Sequence, residues 1–514
     1  MFLLICGTLA LSVACLILRD RLSFSSQLPP APAGSLPILG VLLQHPKTEL
    51  WKTYAEWTKK YGPKGLISFH ILGRRITVVH TKEVANDLFN KRPTIYNDRP
   101  FPTMAGVLMK REKSIFSMSY TQRCKTYRKL MLQVLNATAS QAYWGIEEEA
   151  ARYTVKNILQ TPENLFQHLR RNAAFVIMKV AYGYTISDYN DHFVEMAEET
   201  IRIASLTQAP GKWLVDSFPI LRYLPDWFPG AGFKRQAKAW SEHVYNMSLE
   251  PHQWVKSQME KNLAEPSFSF NLLQDGSGSG KVTTNAEIED VVLWSAGGLY
   301  TAGADTTVSA VQTFLFCMLM NPSVQKKAHA EMDNFLEEES RLPTLKDWAY
   351  GRLPYLDSIL LEVFRWNPPA PIGLFHCAGQ DDVYEGYFIP AKTTIIGNIQ
   401  HSWGMMHDEN VYPNPEAFDP DRFGGLDGRK IEDDPRHIIF GFGRRICPGQ
   451  YVAEASIWIQ MALMLACFDI EKAVDEQGRV VEPEVAFTTA VVSYVKPFPY
   501  KIVPRPTGAK LLHQ

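Results

Sequence analysis

A single cysteine near the end of the chain restricts the fold more than any other feature. Cys447 lies in the stretch FGFGRRICPG, residues 440–449, behind two arginines and ahead of a Pro-Gly pair. The residues that follow, GQYVAEASIWIQMALMLACF, have a helical and largely apolar pattern that predicts a core helix, and Pro448 suits its first position. We therefore expect the sulfur at the buried N-terminal end of a helix, where free N–H groups and the helix dipole favour a thiolate.

The residues around this cysteine indicate a flat, acidic ligand. Gly441, Gly443 and Gly449 allow the backbone to turn sharply and to approach a ligand closely. Arg445 can pair with an acidic substituent of the same ligand. A structural cysteine in a glycine-rich turn is the alternative. The complete spacing FxxGxRxCxG favours a metal-binding thiolate instead.

Composition excludes several other classes of protein. The chain has 514 residues and is 46% hydrophobic, which is ample for a large core. Its 53 Lys and Arg nearly cancel its 54 Asp and Glu, so no overall field attracts nucleic acid. The seven cysteines include no CxxC pair, which argues against a disulfide framework and a structural zinc site. No GxGxxG turn opens a helix, and DGSGSGK at 275–281 is predicted to be a flexible loop.

The N-terminus predicts a membrane anchor. The first eighteen residues, MFLLICGTLALSVACLIL, carry no charge and are followed by Arg19 and Arg21. This is at the short end of the range of about 17–25 residues that span a bilayer. A cleaved secretory signal is the alternative, but it normally carries its positive charge before the apolar run. Residues 1–18 are thus predicted to be a transmembrane helix, 19–47 a basic and proline-rich, extended linker, and 48–514 one cytosolic domain.

That domain is predicted to be mainly α with a small β-sheet portion. Short β-like runs occur at 66–72, 75–80, 386–389 and 393–398. One long helix is predicted to begin with a capping box from Thr284 to Glu287 and to end before Asn321-Pro322.

The cysteine loop resembles that of the cytochrome P450 haem-thiolate monooxygenases. Five positions of the family's haem-binding loop are filled, by Phe440, Gly443, Arg445, Cys447 and Gly449. The resemblance implies a P450-like fold and a haem b whose iron is bound by Cys447. It also implies that Phe440, Gly441 and Arg445 contact the haem. A thiolate bound to haem iron favours cleavage of a bound dioxygen.

The stretch AGADTT, residues 302–307 of the long helix, is the candidate site of oxygen chemistry. Reduction of dioxygen consumes protons, which Asp305 and Thr306 can relay through ordered water. Gly303 is interpreted as making room for dioxygen, with a local widening of the helix. The alternative is that the Thr306 hydroxyl only bonds back to the carbonyl one turn earlier.

A Glu-Arg pair, Glu362 and Arg365, lies one helical turn apart on one face. The resemblance implies that it joins Arg422 in a buried triad that locks the haem loop. The same spacing occurs at 149/152, 199/202, 338/341 and 476/479, and most of these pairs are interpreted as solvated.

Two further residues match positions that bind the haem propionates in this family. They are His376, for which a satisfied loop histidine is the alternative, and Arg128. In the same stretch as Arg128, Cys124 stands where the family usually has a tryptophan, so one haem contact is lost or made differently. The basic cluster Arg123, Lys125, Arg128 and Lys129 is either a solvated helix face or a docking surface for an acidic redox partner.

The resemblance implies a monooxygenase that inserts one oxygen atom from O2 into a lipophilic small molecule, such as a terpenoid or polyketide secondary metabolite. Electrons would come from a separate NADPH-dependent flavoprotein reductase at the endoplasmic reticulum membrane. The resemblance also implies a pocket lined by 101–116, 206–228, the long helix before Thr306, 370–375 and 488–493. Trp213, Phe218, Trp227 and Phe228 are predicted either to rest on the bilayer or to pack internally. Two alternatives are a reductase-independent haem-thiolate isomerase or dehydratase, and a membrane-tethered binding protein without enzymatic activity.

Overall fold

The computed structural model describes most of the chain. The described residues are 27–37, 39–186, 191–208, 211–274, 285–399, 404–425 and 428–512. The predicted anchor at 1–18 and the predicted loop at 275–281 lie outside them. Among the described residues, no single helix is both long and apolar enough to cross a bilayer. The helices Ala286–Met320 and Pro322–Glu339 meet the length and hydropathy criteria only when taken together, and the chain bends by 106° between them.

The fold is mainly helical, as predicted. The longer helices are α1 (Leu50–Tyr61), α2 (Gln122–Leu135), α3 (Trp144–Gln160), α4 (Leu165–Tyr182), α5 (His192–Gln208), α6 (Gly232–Glu260), α7 (Ala286–Met320), α8 (Pro322–Glu339), α9 (Pro354–Trp366) and α10 (Gln450–Cys467). The shorter helical segments are Lys82–Ala85, Asn86–Lys91, Pro93–Tyr96, Thr103–Leu108, Ala139–Tyr143, Pro162–Asn164, Leu214–Ser217, Pro219–Tyr223, Phe268–Leu273, Leu345–Ala349, Asp421–Gly424, Arg436–Ile439, Gly443–Arg445 and Pro506–Leu512.

In the described part of the chain, the strands form one four-stranded sheet and two separate antiparallel pairs, of which β4 and β5 form a hairpin. They are β1 (Leu66–Ile71), β2 (Arg74–Val79), β3 (His376–Cys377), β4 (Asp382–Tyr384), β5 (Tyr387–Ile389), β6 (Thr394–Gly397), β7 (Phe468–Lys472) and β8 (Tyr500–Pro504). The sheet has the order β1-β2-β6-β3, with β2 and β6 parallel and the other neighbours antiparallel. The four predicted runs correspond to β1, β2, β5 and β6. The pair β7 and β8 was not predicted, because it joins segments far apart in sequence and β7 directly continues an apolar helix.

Helix α7 runs through the core and ends at Met320, as predicted. Its N-cap is Asn285, whose Oδ1 accepts the N–H groups of Glu287 at 3.0 Å and Ile288 at 3.3 Å. The N-cap is therefore one residue after the predicted cap, Thr284, which lies outside the described residues. The asparagine side chain satisfies two of the free donors at the helix start, so it takes the capping role.

The described part of the proline-rich segment packs on the domain. The Ser68 N–H donates to the Pro30 carbonyl at 2.9 Å, the Val41 N–H donates to the His70 carbonyl at 3.0 Å, and Val41 is fully buried. Prolines cannot donate hydrogen bonds, but their carbonyl groups accept them, so a proline-rich stretch can still bind along a strand. From Gln27 onward this segment differs from the extended tether that its composition predicts.

Candidate active site

The loop before α10 is held in one shape by its backbone. The Cys447 N–H donates to the Phe440 carbonyl at 2.8 Å, and Gly441 and Gly443 have φ values of 83° and 56°. A Cβ atom on Gly443 would lie 2.3 Å from the carbonyl oxygen of Phe89. Gly443 is therefore required both for its left-handed conformation and for a close approach between two backbones.

The sulfur of Cys447 lies just ahead of α10. The helix begins at Gln450 with Gly449 as its N-cap, so Pro448 precedes the helix and does not occupy its first position as predicted. Burial raises the pKa of the Cys447 thiol, while the Gly449 N–H and the Arg128 guanidinium oppose that rise. A bound metal cation deprotonates a thiol outright. A Cβ atom on Gly449 would meet no other atom within 4 Å, so the backbone beside the sulfur leaves room for a flat group.

Arg445 is buried and donates three hydrogen bonds within the protein. Its Nε donates to the Asn97 carbonyl at 2.9 Å, Nη2 donates to the Met118 carbonyl at 2.8 Å, and Nη1 donates to the Cys124 sulfur at 3.0 Å. Cys124, which stands where tryptophan is expected, therefore accepts a hydrogen bond from the arginine of the cysteine loop. The indole of a tryptophan at position 124 could only donate a hydrogen bond. The cysteine at this position therefore removes one donor toward a haem propionate.

Two other arginines lie close to Arg445. Arg128 Nη2 donates to the carbonyl of Ile446, next to the cysteine, at 2.7 Å. Arg99 is buried, and its Nη1 donates to the carbonyls of Leu374 at 2.6 Å and Phe375 at 2.8 Å. Sequence reasoning missed Arg99, because an Arg-Pro pair in a loop has no periodic or motif signal.

The arginine cluster (Arg99, Arg128 and Arg445) brings three positive charges together. Within the described part of the chain, none of the three forms a salt bridge with a carboxylate. Burial lowers all three pKa values, that of Arg99 to about 9. Buried cations without counter-charges are costly, so the cluster fits a ligand that brings its own carboxylates, as the two propionates of haem b do.

His376 opens β3 beside this cluster. Its Nδ1 lies 2.7 Å from the Tyr96 carbonyl, which can only accept, so the proton is assigned to Nδ1. Burial and the charge of Arg99 hold the pKa of His376 well below its usual range. To donate to a propionate, as the sequence predicts, the ring would use Nε2 and carry a positive charge, which a nearby carboxylate favours.

The middle of α7 presents the candidate oxygen-chemistry residues. The helix is buried on both sides of this point, but residues 301–304 and Thr306 are accessible. Thr306 Oγ1 donates to the Ala302 carbonyl at 3.2 Å, which is the back-bond considered as the alternative. Asp305 is buried, and burial raises its pKa to about 7, while Arg170 lowers it and Glu198 adds to the rise. An acid with that pKa can exchange protons near neutral pH.

The interpretation of Gly303 is wrong. A Cβ atom there would lie 2.8 Å from Cγ1 of Ile177 on α4, so the glycine allows the two helices to pack closely and does not make room for dioxygen. Helix α7 is also a continuous α-helix from Ala286 to Met320, without the predicted widening. The function of Gly303 is therefore set by its packing against Ile177, which is more than a hundred residues away in the sequence.

The predicted triad is present. Arg365 Nε lies 2.7 Å from Glu362 Oε2, and Arg422 Nε lies 3.5 Å from Glu362 Oε1. All three side chains are buried. Arg365 also donates to the carbonyls of Met406 and Ala417, which ties α9 to the segment before the cysteine loop.

The triad is linked to the cysteine loop through one aromatic contact. Phe364, which lies between the two charged residues of α9, packs edge-on against Phe440 with 5.7 Å between ring centroids. The Glu362–Arg365 ion pair thus stabilises α9, and α9 supports the cysteine loop through the Phe364–Phe440 contact.

Comparison with known proteins agrees with this geometry. The family model described as Cytochrome P450 matches residues 29–495. The chain is 38% identical to Cytochrome P450 monooxygenase 208 of Postia placenta, over 98% of this chain and 96% of the relative. It is 37% identical to Cytochrome P450 monooxygenase claR of Ampulloclitocybe clavipes, over 95% of this chain and 88% of the relative. These matches, together with the cysteine loop and its arginine cluster, show that the chain belongs to the cytochrome P450 family of haem-thiolate monooxygenases, with Cys447 as the axial ligand of the haem iron.

Proposed function

We propose that the protein inserts one oxygen atom from O2 into a lipophilic secondary metabolite, such as a terpenoid or polyketide, with electrons from a separate NADPH-dependent flavoprotein reductase. The observation that carries this proposal is on α7, where Asp305, a buried acid with a pKa near 7, directly precedes the accessible Thr306. Isomerisation or dehydration needs no supply of protons to dioxygen, so this pair favours oxygen insertion.

The haem, when bound, supplies the activation of dioxygen and the transfer of one of its oxygen atoms. The residues of the chain have separate tasks. Cys447 holds the iron, and the arginine cluster holds the propionates. Asp305 holds a proton at its carboxyl group near neutral pH and passes it toward the Thr306 hydroxyl. The apolar residues of segments 101–116 and 370–375 exclude water and favour a substrate of low polarity.

Electrons are proposed to enter from the side of the cysteine loop. Lys125, Lys129 and Arg444 are exposed there. The Lys125 ammonium lies 5.7 Å and the Arg444 guanidinium 5.8 Å from the ring centroid of Tyr120, so both charges flank one aromatic residue. Arg123 is paired with Asp290 and is not available. This basic surface suits an acidic face of the reductase.

The domain is proposed to rest on the cytosolic face of the endoplasmic reticulum membrane, beside a single transmembrane anchor at 1–18. Phe218, Trp227 and Phe228 are exposed, Trp227 by 80%. Trp213 differs, because its Nε1 donates to the Leu206 carbonyl at 2.9 Å and its ring packs on Trp240. The exposed apolar residues between 214 and 228 are called the aromatic patch below.

The aromatic patch adjoins the segment that would leave the anchor. A Cβ atom on Gly211 would lie 3.3 Å from the side chain of Leu42, and Leu43 beside it is 76% exposed. Apolar residues of both segments can therefore enter the interface of a bilayer together.

Removal of residues 1–18 should weaken the membrane association without abolishing it. The further change Trp227→Asp with Ile220→Asp should release the domain from vesicles, because both side chains are largely exposed and charges are costly in the interface. Vesicle flotation measures this. Tyr350→Asp, at a residue that is also 80% exposed, is the matched control, and equal release by the control would contradict the proposal.

Thr306→Ala should uncouple electron consumption from product formation. Loss of the hydroxyl interrupts proton delivery, and the ratio of product to NADPH consumed should fall about tenfold or more, in keeping with the size of acid-base effects. The assay contains the purified holoenzyme, a flavoprotein reductase, NADPH and candidate lipophilic compounds, with mass analysis for one added oxygen atom.

The neighbouring Thr307→Ala is the control for this assay. Thr307 is buried and lies about 100° around the helix from Thr306, so its loss should leave the coupling unchanged. Tight coupling in Thr306→Ala would contradict the relay. A product of unchanged mass that forms without NADPH would instead identify an isomerase.

A further inference from the structure

One arginine in a charged stretch at the protein surface has a buried side chain. In the run KREK at 110–113, Lys110, Glu112 and Lys113 are exposed, and Lys113 pairs with Asp290 at 2.8 Å. Arg111 is only 6% exposed. The sequence has no signal that distinguishes this residue from its charged neighbours.

Within the part of the chain that the structure describes, the guanidinium of Arg111 has no partner. Its backbone N–H donates to the Gly106 carbonyl at 2.9 Å, but within the described residues its side chain makes no hydrogen bond and no ion pair, and its Nε is enclosed. Burial alone lowers its pKa, to about 10, so the group remains positively charged at neutral pH. A buried charge without a partner destabilises the fold and is a marker of a functional site.

Arg111 differs in this respect from the other buried arginines near the site. Arg365 has the carboxylate of Glu362, while Arg99 and Arg445 donate to backbone carbonyls and sense each other's charge. For Arg111, no charge of the described residues contributes to the shift in pKa, which burial alone causes. Arg111 is therefore not part of the arginine cluster that fits the haem propionates.

The segment that carries Arg111 borders the accessible face of α7. On one side, the Met109 carbonyl accepts a hydrogen bond from Ser241 of α6 at 2.8 Å. On the other, Cγ2 of Ile115 lies 3.1 Å from the Cβ position of Gly298. Gly298 is four residues before Ala302, so the two lie one above the other on the same face of α7. The segment thus contacts α7 through Ile115 one turn before the accessible residues, and through Lys113 at Asp290, nearer the start of the helix.

We propose that Arg111 binds a carboxylate of the substrate, so that the enzyme acts on a lipophilic carboxylic acid. The inference rests on the proposed monooxygenase function, because it names the chemical class that the same site receives. A guanidinium binds a carboxylate through two parallel hydrogen bonds. With the acid end held at Arg111, the apolar remainder of the molecule is free to extend along α7 toward Thr306.

The test compares acids with their uncharged esters on the holoenzyme. Dodecanoic acid and its methyl ester, and abietic acid and its methyl ester, are titrated while the spin-state difference spectrum of the haem is recorded. Wild type should bind at least one acid about tenfold or more tightly than its ester. Arg111→Gln should lose about tenfold or more in affinity for that acid and change less than about threefold for the ester, while Arg111→Lys should retain part of the preference.

Several results would overturn the proposal. They are an acid that binds no better than its ester in both pairs, an absence of any spectral change with either acid, and an equal loss of acid and ester affinity in Arg111→Gln. A loss of haem content in Arg111→Gln would assign the residue to the cofactor instead. Arg111→Met should not lower the melting temperature of the ligand-free protein, and a large drop would show a structural role.

The binding test needs neither reductase nor turnover, so the two proposals can fail separately. If the acid preference is absent while NADPH-dependent oxidation persists, only the role of Arg111 is wrong. If the acid preference is present but no oxygen is inserted, the monooxygenase function is wrong and the binding role stands.

Discussion

Glu362→Ala is expected to lower the free energy of unfolding by about 3–5 kcal/mol, because it leaves a buried arginine without its counter-charge. Arg365 and Glu362 are both fully buried, with Arg365 Nε 2.7 Å and Nη2 2.8 Å from the two carboxylate oxygens. Arg422 would lose the same partner. Urea unfolding measures the change. Haem retention should fall with it, since α9 supports the cysteine loop through Phe364 and Phe440.

Glu199→Ala is the matched control. The Glu199–Arg202 pair has the same three-residue spacing and a similar distance of 2.6 Å, but its side chains are 38% and 57% exposed. An exposed pair contributes about 1 kcal/mol or less. Burial, and not spacing, thus distinguishes the two pairs, and an equal loss of stability in both variants would show that the triad does not anchor α9.

Cys447→Ser is expected to abolish the red-shifted Soret band of the reduced, carbon monoxide-bound protein, together with all oxygen insertion. A serine hydroxyl does not replace a thiolate as the electron-donating ligand of haem iron. The variant should still fold, because the hydrogen bond from the residue 447 N–H to the Phe440 carbonyl is made by the backbone. Circular dichroism separates the loss of the ligand from unfolding.

Cys377→Ser provides the control for that spectrum. Cys377 is another free, half-buried cysteine, so its replacement should leave the Soret band unchanged. A red-shifted band that survives in Cys447→Ser, or a wild-type chain that stays colourless when haem is supplied in excess, would contradict the assignment of the iron ligand.

The features that could be predicted from the sequence depend on short spacings. The loop around Cys447 and the Glu362–Arg365 pair each lie within one turn or one helix, where chain connectivity alone brings the residues together. Even there, the sequence placed Pro448 in the helix, whereas the structure places it in the turn before Gly449. Caps depend on side-chain geometry that a pattern of residue types does not contain.

The features that could not be predicted depend on contacts between distant segments. The function of Gly303 follows from the position of Ile177, and the fate of Trp213 from a hydrogen bond and a ring contact inside the fold. An aromatic residue in a surface segment is buried or exposed according to which face of its helix or loop packs on the rest of the protein, and the sequence does not show this.

The sequence by itself determined the family, the iron ligand and the extent of the long central helix, because each depends on residue types at fixed local intervals. Only the tertiary structure decided which buried charges are neutralised. Arg99 donates to carbonyls 275 and 276 residues away, Arg365 is buried with its glutamate, and Arg111 is buried with no partner among the described residues. The energy of a buried charge depends on its surroundings in space, and those surroundings are assembled only when the chain folds.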